Sequence, residues 1–247
     1  MLIRNIATTL LIFLVPHIAN STCIGIMIVN NKIYVAADSR RTVSAVNINN
    51  GKVSKSYQSI CKINLVGNVY FAISGYDDKY LREAAEESLK VKKSKDSAVI
   101  YYARKMKAHY KVFLAKAKIH DRASYDYYLK NALASVSFFG FQDNLAYMTV
   151  IDFLLSEVNG KIVIKEKINK KKTDAFLGVS DHILSLSEKD DDRLFSQSLG
   201  VVYYLEKLIT LEINKHPEKV NYPIDLLEIS NTKATWIRKK EKCENLL

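Results

Sequence analysis

Five two-residue turn signals punctuate the chain: Asn30-Asn31, Gly67-Asn68, Asp143-Asn144, Asn159-Gly160 and Asn231-Thr232. Asn, Asp and Gly tolerate the left-handed backbone that tight hairpins require. Apolar runs of strand length flank these turns, at 23–29 and 32–37, 60–65 and 68–74, 132–142 and 145–156, and 223–230 and 234–239. A further run follows at 161–168. Neighbours joined this way pair antiparallel. Single strands alternating with helices, which a parallel doubly wound sheet needs, are absent.

Helical patterns lie between the hairpins. Asp77-Asp78 offers an N-cap for a helix running to about residue 91. A second helix starts at Asp96 or Ser97 and reaches His120, with Val99, Tyr102, Met106, Tyr110 and Leu114 on one face. Residues 125–131 form a short helical or irregular link, 175–179 a short strand and 181–187 a helical turn. Residues 193–215 read as a long helix interrupted only by Gly200. The polar stretch 42–56, with a turn at Asn49-Asn50-Gly51, reads as a long loop. The order is strands, helices, strands, helices, strands. The fold class expected is α+β: antiparallel sheets sandwiched with helix layers outside.

At 247 residues the chain can bury a full core without staples. The net charge of +11 comes from 37 basic against 26 acidic residues. Lysines cluster at 90–93, at 165–172 and at Arg238-Lys239-Lys240, without interleaved aromatics. They read as solvated faces, and no nucleic-acid partner is expected. Cys23, Cys61 and Cys243 are scattered with no CxxC spacing, so neither a zinc ribbon nor a disulfide scaffold is expected. Cys23 and Cys61 read as small apolar packers. His109, His120, His182 and His216 are dispersed, so no metal site is expected, and no cofactor.

The first 21 residues have the layout of a secretory signal. Arg4 supplies positive charge, 6–15 is apolar, Pro16 ends the run, and Ala19 and Ser21 are small residues at −3 and −1. The apolar run is too short to span a bilayer comfortably, so no stable membrane anchor is expected. The organisation expected is a signal peptide at 1–21 and a single domain at 22–247. Cleavage after Ser21 makes Thr22 the first residue of a secreted or periplasmic protein.

From Thr22 the chain reads Thr22-Cys23-Ile24-Gly25-Ile26, then Asp38-Ser39-Arg40-Arg41-Thr42, Cys61-Lys62-Ile63 and Ala72-Ile73-Ser74-Gly75. In these residues it resembles the proteasome β-subunit group of N-terminal-nucleophile hydrolases, over essentially all of 22–247. That resemblance implies a four-layer αββα sandwich and an N-terminal Thr22 nucleophile. It implies Asp38 and Lys62 as catalytic partners, with Lys52 and Lys55 as alternatives to Lys62. The N–H of Gly75 would hold the oxyanion. Ile73 would floor the first substrate pocket and Arg41 would stand at its rim, favouring apolar residues on the acyl side of the cleaved bond. Peptides or small amides are the expected substrates, and a second copy of the chain is a candidate partner. Two departures stand out. Gly178-Val179-Ser180-Asp181 replaces the group's Gly-Ser-Gly turn. The loop after the long helix offers only Glu218, with Asp225 in the final strand.

The chemistry is consistent with the residue types. A threonine hydroxyl needs a base beside it. A free α-amine, with a pKa of about 8, is one built into the nucleophile itself. Lys62 would hold that amine neutral and Asp38 would hold Lys62. The function expected is exported threonine-type amide hydrolysis. The alternatives are a catalytically inactive relative that binds or assembles, and a basic surface-binding protein.

Overall fold

The turn residues take the backbone that hairpin closure demands. Asn30 and Asn31 have φ of 50° and 56°, Asp143 and Asn144 of 52° and 63°, and Asn159 and Gly160 of 49° and 74°. Two successive residues at positive φ match the right-handed twist of the strands they join. The computed structural model describes residues 15–17, 22–46, 53–76, 79–92, 94–187 and 200–240.

The described strands are β1 (Val15–His17), β2 (Cys23–Val29), β3 (Lys32–Ala37), β4 (Arg40–Val46), β5 (Val53–Ser59), β6 (Ile63–Val66), β7 (Val69–Gly75), β8 (Ala132–Gln142), β9 (Leu145–Val158), β10 (Lys161–Lys171), β11 (Asp174–Gly178), β12 (Asp225–Ile229) and β13 (Ala234–Arg238). The helices are α1 (Lys79–Val91), α2 (Lys95–His120), α3 (Arg122–Tyr128), α4 (Asp181–Ser187) and α5 (Val201–Lys215). The fold is α+β. Two five-stranded antiparallel sheets run in the orders β10-β9-β8-β7-β6 and β11-β2-β3-β12-β13, and β1-β4-β5 forms a smaller third sheet.

Three cores explain which face each strand presents. On β7, Val69, Phe71 and Ile73 enter a core shared with α1, α2 and α3, where Tyr102, Met106, Tyr110 and Leu114 of α2 are fully buried. The alternate residues Tyr70 and Ala72 enter a second core with Ile24, Ile26, Val35 and Leu227 of the other sheet. A third core packs Cys23, Ala36 and Leu226 beneath Leu205, Leu208 and Ile209 of α5 and Ile183 of α4. Strand side chains alternate in direction, so a strand buried on both sides reads as a continuous apolar run. Fully burying each Leu- or Phe-sized group contributes about 1.5–3 kcal/mol before chain entropy is counted.

The structure bears on three expectations. The polar stretch taken for a loop is a hairpin: β4 pairs with β5 from Arg40↔Ser59 to Val46↔Val53. Ser, Thr, Lys and Arg interrupt the two strands, so no apolar alternation marked them. The described part of the long helix runs from Val201 to Lys215, and the interruption falls at Gly200 as expected. Gly200 stands at its N-cap with φ 77°, outside helical backbone, and 193–199 lie outside the described residues. Strand β1 falls inside the segment expected as an export signal and pairs with β4 through Val15↔Val46. The remainder of that segment lies outside the described residues. No helix among the described residues is long and apolar enough to cross a membrane.

Candidate active site

The β2–β3 hairpin sets the first half of the site. Its register runs from Val29↔Lys32 at the turn to Ile24↔Ala37 at the open end. One step further out, the Asp38 N–H donates to the Cys23 carbonyl at 3.1 Å, and the Cys23 N–H donates to Asp38 Oδ1 at 2.8 Å. The interval between Thr22 and Asp38 is thus the length of one closed hairpin. Both residues stand at the same end of the sheet.

Lys62 comes from the segment leading into β6 of the other sheet. Its Nζ donates to Thr22 Oγ1 at 2.7 Å and to Asp38 Oδ1 at 2.7 Å. All three side chains are buried, Lys62 and Asp38 almost completely. Asp38 Oδ2 accepts the Arg40 N–H at 3.0 Å and the Asn221 N–H at 3.4 Å. Three backbone donors and one ammonium therefore fix the carboxylate, which satisfies a buried charge on every side. Burial pushes the Lys62 ammonium below its ordinary value, against the opposing pull of Asp38. A lysine held this way exchanges a proton with a neighbouring hydroxyl more readily than an exposed one.

The end of β11 and the residue after it close against Thr22. Val179 donates its N–H to the Thr22 carbonyl at 2.7 Å. Gly178 has φ 84°, and a Cβ there would lie 2.0 Å from the Thr22 carbonyl oxygen. Gly75 has φ 93°, and a Cβ there would lie 2.7 Å from both Ala134 Cα and the Leu133 carbonyl oxygen. The requirement for glycine at 75 is set by strand β8. Ser74, Gly75, Gly178, Ser180, Asp181 and His216 line part of one cleft of about 440 Å³.

The other candidates fall elsewhere. Ile73 does not line that cleft. Strand alternation turns its side chain into the core beneath α1, α2 and α3, where it is 2% exposed. The expected preference for apolar substrates loses its basis there. Arg41 lies on β4 beside Arg40, and its side chain is outside the described residues, as are Lys52 and the side chain of Lys55. Cys61 is disulfide-bonded, correcting its reading as an apolar packer. Cys23 is free and buried, with burial pushing its thiol well up, so it does not compete as a nucleophile. Cys243 lies outside the described residues.

Sequence reasoning missed two supports. Lys240, read as part of a solvated basic cluster, is buried and its Nζ pairs with Asp225 at 2.8 Å. The Lys240 ammonium also reaches the Ile60 carbonyl, two residues before Lys62. Asn221, in the loop after α5, reaches Asp38 through its backbone, which no side-chain pattern signals. Glu218 faces His216 instead, with Oε1 at 3.9 Å from its Nδ1.

No family model and no curated protein matches the chain.

Proposed function

We propose that the protein is an exported threonine-type amide hydrolase of the N-terminal-nucleophile class, similar to proteasome β-subunits and built as a four-layer αββα sandwich. The observation that carries this reading is the buried chain Thr22 Oγ1–Lys62 Nζ–Asp38 Oδ1, with both links at 2.7 Å. Helix-side cores on the outer faces of two packed sheets support the architecture. A disulfide at Cys61 supports an oxidising compartment, hence export.

In this mechanism cleavage after Ser21 frees the Thr22 amine. The Thr22 hydroxyl gives its proton to that amine, directly or through water, and attacks the amide carbonyl carbon. Lys62 stabilises the oxygen as it sheds the proton, and Asp38 fixes Lys62. The Gly75 N–H holds the developing oxyanion. The C–N bond breaks, the leaving amine takes the proton, and an ester to Thr22 remains. Water then attacks the ester, and the Thr22 hydroxyl is restored.

The test is labelling of secreted protein with a β-lactone, followed by peptide mass spectrometry. Thr22 is expected as residue one and as the modified residue, with labelling kept in Thr22→Ser and lost in Thr22→Ala. A folded, correctly processed protein that takes no label overturns catalysis. It favours the inactive, binding relative.

A further inference from the structure

Helices α4 and α5 bring together three groups that the proposed hydrolysis does not use. Asp181 opens α4. Glu212 lies in the last turn of α5, and His216 follows as its C-cap residue four positions on, so both stand on one face. Asp181 Oδ2 lies 3.3 Å from His216 Nε2, and Glu212 Oε2 lies 4.0 Å from the same nitrogen. The three ligand atoms all fall within 4.8 Å of one another.

Glu212 is the group that points to a ligand. It is fully buried, and its Oε1 accepts the Ile183 N–H at 2.8 Å. Its Oε2 has no hydrogen-bond partner among the described residues, and it faces the imidazole. An unserved carboxylate oxygen in the interior is costly, and a cation supplies what is missing.

We propose that Asp181, Glu212 and His216 bind one divalent transition-metal ion, with zinc the best fit. Zinc takes imidazole nitrogen and carboxylate oxygen at about 2.0–2.2 Å, which sets neighbouring ligand atoms about 3.3–3.6 Å apart. The Asp181–His216 separation already has that spacing, and Glu212 Oε2 stands at 4.0 Å from the same nitrogen. Glu218 Oε1 lies 3.9 Å from Nδ1, on the side of the ring away from the ion. Asp181 and His216 both line the cleft that borders Gly178, so the fourth position opens toward it. The ion fastens α4 to the end of α5 and offers the cleft a Lewis-acidic point for an oxygen ligand. This goes against the sequence expectation of no metal site. His216 is remote in the chain from Asp181, and only the packing of α4 on α5 unites them.

The experiment uses full-length protein stripped with a chelator, then titrated with zinc chloride by calorimetry, with cobalt(II) absorption as a second readout. Saturable binding of one ion per chain is expected. Intense visible cobalt bands of a four-coordinate site and a higher melting temperature with zinc are expected to accompany it. Asp181→Asn, at an exposed position, should weaken binding by about tenfold or more, and His216→Gln should abolish it. Glu212→Gln also disturbs the bond to Ile183, so it serves only as a third variant. No saturable binding, or binding unchanged in both Asp181→Asn and His216→Gln, overturns the proposal. The readouts do not involve Thr22, so this result is independent of the β-lactone outcome.

Discussion

Lys62 carries two opposed forces: removal from water, which disfavours its charge, and Asp38, which favours it. Removal from water prevails, and the ammonium sits below its ordinary value of 10.5. Between the lowered value and 10.5 the unfolded chain holds a proton that the folded chain has released. Stability therefore rises with pH across that interval and is lost again as pH falls through the lowered value. Lys62→Met removes this dependence and leaves a buried carboxylate without its counter-charge. At neutral pH it should cost about 3–5 kcal/mol by urea denaturation. The gap between wild type and variant should widen as pH is raised toward about 10. A constant gap would mean that Lys62 titrates like an exposed lysine. Thr22 and Asp38 were named through the resemblance, and the closed β2–β3 hairpin is what brings them together. Lys240 was not, because a lysine in a basic run looks identical whether it faces solvent or a buried Asp225.

The end of β11 and Val179 hold Thr22, the proposed nucleophile, from its carbonyl side. Gly178→Ala places a methyl group where the Thr22 carbonyl oxygen stands, at 2.0 Å, in a backbone with φ 84°. Left-handed strain alone costs about 1–3 kcal/mol, and the clash adds to it. Loss of Thr22 labelling is expected together with a lower melting temperature. Gly67→Ala is the matched control: φ is 60°, but nothing lies within 4 Å of the added carbon. It should cost strain and leave labelling intact. Equal labelling of the two variants would detach Gly178 from the site. Elements facing two cores were readable as apolar runs, and α2 was readable from its periodicity. The β4–β5 hairpin was not, since Ser, Thr, Lys and Arg interrupt its strands and hide the pairing. The orientation of Ile73 was equally hidden. A continuous apolar run does not tell which side of the strand meets helices.

At the scale of the whole molecule, the disulfide at Cys61 sits one residue from Lys62 and ties the approach to β6. Reduction should lower stability by about 2–4 kcal/mol and slow the reaction at Thr22, both read from melting and labelling with and without dithiothreitol. An unchanged melting temperature would mean that the crosslink constrains little of the unfolded chain. The pairing of β1 with β4 has a different consequence. Residues 15–17 precede the proposed cut, so maturation would strip β4 of the strand lying against it. Its main-chain donors and acceptors would then face outward, as an open template. The cut proposed to free the Thr22 amine would thus exchange a three-residue border strand for the seven-residue β4, a longer surface for pairing with a second copy. Light scattering should find the uncut chain monomeric and the trimmed chain larger.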